Sequence, residues 1–269
     1  MKEFHPENIR NITFIGHQGS GKTTLIEAIL YRLGSITRMG SVEEGNTQSD
    51  YRADEVARRM SIATTILVAE EKGLKLNLID TPGFTDFQGE VLCGLKACDS
   101  AIMVINATGG IEVGTDIFYD LTLIENRPLA FFINQLDKEH TDFDKVYKAL
   151  EEEFQKTAPL QYPLNAGSSH FSDIVDLLHM KLYTTQQDGA CKVSDIPQDL
   201  IPKISPWRTK LIERIAEVDD ALMETYFANE SLSTEEMLQG LKLGLMRRTI
   251  FPVLCGAGKI QVGVQQLIA

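Results

Sequence analysis

The amino-acid sequence predicts an α/β fold in which a mostly parallel sheet is interrupted by an inserted α+β segment. Residues 101–106 and 129–134 are continuous apolar runs, which are typical of strands buried on both faces of a parallel sheet. Helical patterns lie between and after these runs, so strands and helices alternate along the chain. The alternation stops near residue 160 and resumes at residue 251, which indicates one insertion in a doubly wound domain.

The first predicted elements surround a glycine-rich turn. Residues 11–15 form a short strand before the turn, and residues 23–33 have helical periodicity after it. Residues 36–59 are polar and weakly patterned, which predicts a long loop. Residues 63–69 and 74–79 are rich in β-forming side chains and flank Glu-Glu-Lys-Gly, so they predict a hairpin. Further helices are predicted near residues 88–97, 115–126 and 142–154.

The inserted segment has a different pattern. It contains a β-rich stretch, a proline-punctuated loop over residues 196–206, and two predicted helices near residues 207–227 and 233–247. A last strand at residues 251–255 and a helix start near Val264 then return to the α/β rhythm. Because the chain stops inside this helix, we expect it to be a fragment of a longer protein. The predicted division is a main domain at residues 1–159, an insertion at 160–249 and a return to the main domain at 250–269.

The 269 residues carry a formal net charge of −12, and the acid is concentrated in a segment that begins near residue 155. Residues 151–240 hold 16 acidic and 7 basic side chains, a net charge of −9. This balance argues against non-specific capture of nucleic acid. No apolar run approaches the ~18 residues that a membrane span needs. We expect a monomer that binds neither a membrane nor a specific nucleic-acid sequence.

The four cysteines have no spacing typical of a metal site or a disulfide framework. We interpret them as reduced thiols, and we expect a cytoplasmic protein. The N-terminus has no apolar stretch of the kind found in signal peptides. The cysteines are Cys93, Cys98, Cys191 and Cys255.

The glycine-rich turn matches the phosphate-loop pattern G-x-x-x-x-G-K-[ST], and it stands between a predicted strand and a predicted helix. Backbone N–H groups of such a loop surround a phosphate, and the helix N-terminus favours an anion. We expect Lys22 to reach the β- and γ-phosphates and the Thr23 hydroxyl to hold Mg²⁺. The expected contacts are Gly16, His17, Gln18, Gly19, Ser20, Gly21, Lys22, Thr23 and Thr24.

A second motif, Asp80-Thr81-Pro82-Gly83, ends the second strand of the predicted hairpin. An Asp at this position can hold the hydration shell of Mg²⁺. The N–H of Gly83 is free to approach a γ-phosphate at a point where the loop can change shape. We expect Asp80, Thr81, Pro82, Gly83 and Phe84 to contact the nucleotide, with Asp80 on the metal side.

A third motif follows the buried strand at residues 129–134 and resembles the N-K-x-D motif of GTPases, with Gln135 in the place of Lys. In that motif the Asp, here Asp137, accepts hydrogen bonds from guanine N1–H and the 2-amino group, which adenine lacks. A later small-residue loop is expected to meet guanine O6. The expected base-side contacts are Asn134, Gln135, Leu136, Asp137, Gly256, Ala257 and Gly258.

Together these motifs resemble a translational GTPase of the elongation factor G family, and the resemblance covers essentially the whole chain. Residues 44–50 and 58–62 resemble the first switch region, and Ser61 stands where the family has the Thr that binds Mg²⁺. Residues 171–181 resemble the family's G′ insertion. The resemblance implies a phosphate-loop GTPase fold, GTP or GDP and Mg²⁺ as ligands, and the ribosome as partner of the full-length protein. The implied metal residues are Thr23, Ser61 and Asp80.

Besides Ser61, the chain departs from the family pattern at three positions in or directly after the three nucleotide-binding motifs. Phe84 replaces the His that orients the attacking water, Gly19 replaces an Asp of the phosphate loop, and Gln135 replaces Lys. We therefore expect nucleotide binding with slow hydrolysis, as in a paralogue with an altered ribosomal duty. The positions expected to bear on catalysis are Lys22, Gly83 and Phe84.

Two other functions remain open at this stage. A GTP-sensing module with negligible hydrolysis has the same binding motifs, and Phe84 is the residue that favours it. An ATPase or metabolic kinase of the same fold has the same phosphate loop, but Asp137 argues against it.

A docking face is predicted on the first helix of the insertion. Four acidic residues recur at spacings that place them on one stripe, and four apolar residues form an opposite stripe. We expect the apolar stripe to pack on the β-rich part of the insertion. The acidic stripe is either a solvated face or, as the family's G′ region implies, a surface that steers the ribosomal stalk protein. The acidic stripe is Glu213, Glu217, Asp220 and Glu224, and the apolar stripe is Leu211, Ile215, Val218 and Leu222.

Overall fold

The computed structural model describes residues 3–186 and 189–269, and its centre is a seven-stranded sheet. The strand order is β2-β3-β1-β4-β5-β11-β6, and only β2 runs antiparallel to its neighbour. The predicted fold class, a mostly parallel α/β sheet with an insertion, is confirmed. The strands are β1 Ile9–Ile15, β2 Thr65–Glu71, β3 Leu74–Asp80, β4 Ser100–Asn106, β5 Leu129–Asn134, β6 Thr157–Pro159 and β11 Phe251–Cys255.

Helices cover both faces of this sheet, as its continuous apolar strands require. The face that carries α1 buries Leu25 and Ile29 against Phe14 and Val104. In the predicted long loop, residues 53–58 form a short helix, α2, whose first turn is closed by a hydrogen bond from Arg52 N–H to the Glu55 carboxylate. The helices are α1 Lys22–Arg32, α2 Ala53–Arg58, α3 Gln88–Ala97, α4 Val113–Ile124, α5 Phe143–Phe154 and α9 Val264–Ile268.

The segment between β6 and β11 forms an antiparallel four-stranded sheet of order β10-β9-β8-β7 and three helices. In the part of the chain that the structure describes, no helix is long and apolar enough to span a bilayer. The elements are β7 Gln161–Leu164, β8 Asp173–Asp176, β9 Lys181–Thr185, β10 Cys191–Asp195, α6 Ile201–Ala216, α7 Asp220–Asn229 and α8 Thr234–Arg247.

The helices of the insertion differ from the prediction in two ways. The predicted loop over residues 196–206 is helical from Ile201, because Pro202 lies in the first turn, where a backbone N–H has no helical partner. The predicted helix over residues 207–227 is broken into α6 and α7. The break follows from Asp219, whose carboxylate accepts a hydrogen bond from Ala221 N–H and starts a new helix.

The break corrects the prediction of two continuous stripes. Glu213 and Glu217 belong to the end of α6, and Asp220 and Glu224 belong to α7, although all four side chains are exposed. Helix α6 packs chiefly on β6, α7 and α8, rather than on the β-rich part of the insertion. Its apolar residues therefore join the core of the main sheet. Of the predicted apolar stripe, Leu211 and Ile215 are fully buried, and Val218 and Leu222 are partly buried.

Trp207 joins the insertion to the main domain. Its ring lies 4.9 Å from that of Tyr147 and 5.5 Å from that of Phe143, both on α5, and 5.1 Å from that of Tyr162 on β7. Contacts at these distances stabilise beyond the area that they bury. The aromatic cluster fixes α6 against both parts of the fold.

Candidate nucleotide-binding site

The phosphate loop connects β1 to α1 at the carboxyl end of the parallel strands. Two of its glycines allow close approach of other backbone and side-chain atoms. A Cβ at Gly16 would lie 2.3 Å from the carbonyl oxygen of Val104, and a Cβ at Gly21 would lie 2.6 Å from Asn134 Nδ2. Both glycines also have positive φ angles, 141° and 88°. The loop is thus packed directly against β4 and the third motif.

Lys22 is buried in this loop with its ammonium group among backbone carbonyls. Its Nζ donates hydrogen bonds to Gly16 O at 2.7 Å and to His17 O at 3.2 Å. Burial lowers the pKa of Lys22 to about 8, and the nearby carboxylates of Asp80 and Asp50 oppose this shift. A bound polyphosphate would stabilise the charged form, so the site favours an anion.

The three residues predicted to hold the metal lie together. Thr23 Oγ1 donates to Asp80 Oδ2 at 2.8 Å and lies 3.3 Å from Ser61 Oγ. Ser49 Oγ donates to the same Asp80 oxygen at 2.6 Å. Burial raises the pKa of Asp80 to about 6, with the hydrogen bonds from Ser49 and Thr23 opposing the shift. Among the residues that the structure describes, the other Asp80 oxygen, which is buried, has no hydrogen-bond partner. These oxygen donors fit Mg²⁺.

Asp50 is a second buried carboxylate beside the residues predicted to hold the metal, and no sequence motif marks it. Both of its oxygens are buried and find no hydrogen-bond partner in residues 3–186 and 189–269. The Ser61 hydroxyl lies close enough to lower the pKa of Asp50 but outside hydrogen-bonding geometry. Burial is the larger influence and raises this pKa. The only available signal was its position in the segment that resembles the first switch region.

Two further carboxylates, also missed from the sequence, attach the first switch region to the domain. Glu27 on α1 is fully buried and accepts hydrogen bonds from Gly40 N–H at 2.9 Å and Gln48 N–H at 2.5 Å. Glu55 on α2 accepts from the N–H groups of Ile62 and Ala63 at 3.0 and 3.1 Å. These contacts hold Asp50 and Ser61 in place from both sides.

The second motif closes over the phosphate loop. A Cβ at Gly83 would lie 2.5 Å from Lys22 Nζ and 2.7 Å from the backbone of Gln18, so only glycine fits there. Phe84 is half-buried and follows directly. The hydroxyl of Thr81 donates to Phe14 O at 2.7 Å and is therefore committed to the fold.

The third motif is joined to the phosphate loop by amide hydrogen bonds. Asn134 donates through Nδ2 to Ser20 O at 2.9 Å and accepts through Oδ1 from Gly258 N–H at 2.9 Å. Gln135 Nε2 donates to Gly19 O at 2.7 Å. The structure therefore brings the phosphate loop, the third motif and the small-residue loop into one unit.

A cavity of about 530 Å³ lies between the phosphate loop, the first switch region and the second motif. The side chain of His17 faces away from it, because Gly114 N–H donates to His17 Nδ1 at 3.3 Å and Glu112 lies 3.6 Å from Nε2. The predicted site residues that line the cavity are Gln18, Gly19, Gly21, Lys22, Thr23, Thr24, Ser61, Gly83, Phe84 and Gln135. Those outside its lining are Gly16, His17, Ser20, Asp80, Thr81, Pro82, Asn134, Leu136, Asp137, Gly256, Ala257 and Gly258.

The strand order, the phosphate loop and the adjoining carboxylates define a phosphate-loop nucleotide-binding domain. The family model of the elongation factor Tu GTP binding domain matches residues 7–269, so the chain belongs to this family of translational GTPases. The resemblance indicated by the sequence motifs is confirmed.

Two relatives illustrate the similarity. The chain is 34% identical over 265 residues to elongation factor G of Thermotoga maritima, which covers 97% of this chain and 38% of that protein. It also resembles a crystal structure of a protein from Thermus thermophilus, with a TM-score of 0.90, 30% identity, and coverage of 97% of this chain and 39% of that one. The chain thus spans 38–39% of the length of these relatives.

Proposed function

We propose that the chain is the GTP-binding and GTP-hydrolysing switch domain of an elongation factor G-like translation factor that acts on the ribosome. The observation that carries this proposal is the convergence of Lys22, Thr23, Ser61 and Asp80 beside one cavity. Ser61 belongs to a loop that other parts of the domain hold through Glu27 and Glu55. If a loop supplies a metal ligand in only one of its conformations, the conformation of the loop depends on whether a γ-phosphate is bound.

GTP or GDP is the proposed nucleotide, and Mg²⁺ is the proposed metal. Thr23, Ser61 and Asp80 would hold the metal directly or through water. Asp50 is a further candidate, because its buried oxygens have no hydrogen-bond partner in the part of the chain that the structure describes. A divalent ion at this place neutralises charge on the β- and γ-phosphates. Asp137 would select guanine, with the remaining base-side contacts as predicted from the motif.

We propose that hydrolysis is slow. The site supplies positive charge, but the residue that follows Gly83 cannot accept a proton. Lys22 would neutralise charge on the oxygen between the β- and γ-phosphates, and the N–H of Gly83 would contact the γ-phosphate. Phe84 has no polar side-chain atom with which to orient a water molecule. Phosphoryl transfer depends mainly on positioning and charge, so binding and slow turnover are compatible.

Phe84 also supports an alternative function. A module that binds GTP and acts only through occupancy would need the same phosphate loop and switch region but no group that orients water. We keep this GTP-sensing function as the second candidate.

The chain's proposed division remains residues 1–159, 160–249 and 250–269, with the middle part as a G′-like insertion. Its exposed carboxylates would face a basic surface of the ribosomal stalk protein. We also propose that the protein is monomeric and cytoplasmic. The exposed carboxylates proposed to face the stalk protein are Glu213, Glu217, Asp220 and Glu224.

The deciding experiment measures nucleotide affinity and multiple-turnover phosphate release, with and without ribosomes. We expect GTP and GDP to bind far more tightly than ATP, and phosphate release by the chain alone to be much slower than ~1 s⁻¹, a low value for an enzyme. Equal affinity for GTP and ATP would contradict the base assignment. Turnover that ribosomes do not raise would favour the GTP-sensing function.

Substituting Phe84 tests the explanation for slow turnover. Phe84→His should raise phosphate release in the presence of ribosomes by roughly tenfold or more, since a positioned acid–base group contributes ~10²–10⁴-fold. Phe84→Leu is the matched control and should leave the rate low. If both variants hydrolyse GTP at the wild-type rate, the residue at this position does not limit turnover.

A further inference from the structure

We propose that Arg59 contacts the terminal phosphate of a bound nucleoside triphosphate and makes the site selective for the triphosphate over the diphosphate. This inference rests on the proposed nucleotide-binding function and deepens it. Arg59 stands where the related pattern R-G-I-T-I has its glycine, so it adds a cation to the first switch region.

The backbone of Arg59 has the conformation of a glycine position. Its φ and ψ angles are 54° and 44°, in the left-handed region that is unfavourable for residues with a Cβ. Its N–H donates to the carbonyl oxygens of Glu55 and Val56 at the end of α2. The turn is therefore determined by the helix end, and the arginine side chain is accommodated in spite of the backbone cost.

The position of Arg59 brings its side chain to the phosphate end of the site. Arg59 lines the same cavity as Lys22 and Phe84. It precedes Ser61 by two residues, and Ser61 Oγ lies 3.3 Å from Thr23 Oγ1 on the metal side. The first switch region thus brings Arg59 and Ser61 to the cavity that Lys22 also lines.

The charge of Arg59 is available for a ligand. Among the residues that the structure describes, its guanidinium makes no hydrogen bond or ion pair, and the nearby carboxylate is that of the exposed Glu43, which lines the same cavity and interacts with Arg59 at longer range. By contrast, Arg38, which precedes the first switch region, pairs with Glu44 at 3.5 Å. A guanidinium presents several donors in one plane, which matches the oxygens of a phosphate. Because its loop also carries Ser61, the terminal phosphate is the group that it would reach.

The test compares the affinities of GDP and of the slowly hydrolysed analogue GTPγS in the presence of Mg²⁺, measured by calorimetry. Arg59→Gly removes the cation and relieves the left-handed backbone, so the variant should fold and its melting temperature should not fall. We expect about a tenfold loss of GTPγS affinity, which corresponds to ~1.4 kcal/mol, because a charge-assisted hydrogen bond to the terminal phosphate is lost. GDP affinity should change less than about twofold, and Arg59→Lys should lie between the wild type and Arg59→Gly.

Arg38→Ala is the matched control, because Arg38 lies in the loop that leads to the first switch region, and its side chain is 81% exposed and outside the cavity lining. It should leave both affinities unchanged. Equal losses for GDP and GTPγS in Arg59→Gly, or no loss, would overturn the inference while the proposed function stands. Wild-type chain that binds neither nucleotide would overturn both.

Discussion

The molecule contains two sets of carboxylates in contrasting surroundings. Around the candidate nucleotide site Glu27, Asp50, Glu55 and Asp80 are buried. Glu27, Glu55 and Asp80 accept hydrogen bonds from specific backbone amides or hydroxyls, whereas the oxygens of Asp50 have no such partner among the described residues. The acidic residues at the end of α6 and on α7 are exposed to solvent. The buried carboxylates help to build the site, whereas the exposed carboxylates form part of the protein surface.

The difference follows from the cost of removing a charge from water. A buried carboxylate is retained only where hydrogen bonds, a cation or a metal offset desolvation, or where it takes up a proton. An exposed carboxylate costs little and acts on partners over a distance of about the Debye length. Changes to the buried set should therefore alter stability and affinity, whereas changes to the exposed set should alter rates of association.

The largest expected effect concerns Asp80 in the absence of nucleotide and Mg²⁺. Its pKa in the folded protein is about 6, above the unfolded value of 3.8, so the native state binds the proton more tightly. The resulting stability is fully present below pH ~4 and is lost as pH rises through 6, by an amount on the order of 3 kcal/mol. Urea unfolding of wild type and Asp80→Asn between pH 4 and 8 measures it.

The control for this measurement is Glu224→Gln, which should follow the wild-type pH dependence. In Asp80→Asn the part of the pH dependence that lies between pH 4 and 6 should disappear. If Asp80→Asn and wild type lose stability in parallel over this range, the buried carboxylate does not carry the effect.

Asp137, which is predicted to contact the base, is intermediate between the two sets because it is half-buried. Asp137→Asn should weaken GTP binding by roughly 100-fold, since two hydrogen bonds to a charged acceptor are lost. The variant should gain affinity for xanthosine triphosphate, whose 2-oxo group suits an amide donor. Calorimetry with both nucleotides tests this, and a loss of both affinities would mean a change in the fold rather than in base selection.

Glu27 should be needed to hold the first switch region. Glu27→Gln replaces one acceptor oxygen by a donor facing the amides of Gly40 and Gln48, so local opening should become easier by roughly 1–3 kcal/mol. Hydrogen exchange at these two amides measures the change. Exchange at Ile62, which Glu55 holds, should change less.

The exposed Glu44 provides the control for this prediction, since Glu44→Gln changes a carboxylate of the same segment without removing a buried contact. Faster exchange in Glu44→Gln than in Glu27→Gln would mean that the buried carboxylate does not hold the loop.

Substitutions of the exposed carboxylates should have the smallest effect on the domain itself. Reversing Glu213, Glu217 and Glu224 to Lys should slow association with the ribosomal stalk protein, most at low salt, and leave GTP affinity unchanged. Stopped-flow association at two ionic strengths measures this. If association with the stalk protein is unaltered and does not depend on salt, these residues form an ordinary solvated surface and have no role in docking.

Much of the candidate nucleotide site could be located from local sequence. The phosphate loop, Asp80 and the Asn134–Asp137 segment each follow a recognisable strand, and such motifs are short stretches whose backbone geometry depends on near neighbours. The continuous apolar strands also predicted the fold class, because burial on both faces leaves no alternation in the sequence.

The rest depended on contacts between residues that lie far apart in the chain. Glu27 and Gln48, Asp50 and Lys22, and Trp207 and Tyr147 meet only after the sheet has formed, and no periodicity in the sequence marks them. The break between α6 and α7 was missed for a related reason, since the apolar spacing continues across Asp219 although the helix does not. The local sequence determined the phosphate loop and the strands, because their hydrogen bonds are short-range. The tertiary structure decided which carboxylates are buried and what they hold, because burial is a property of the packed molecule.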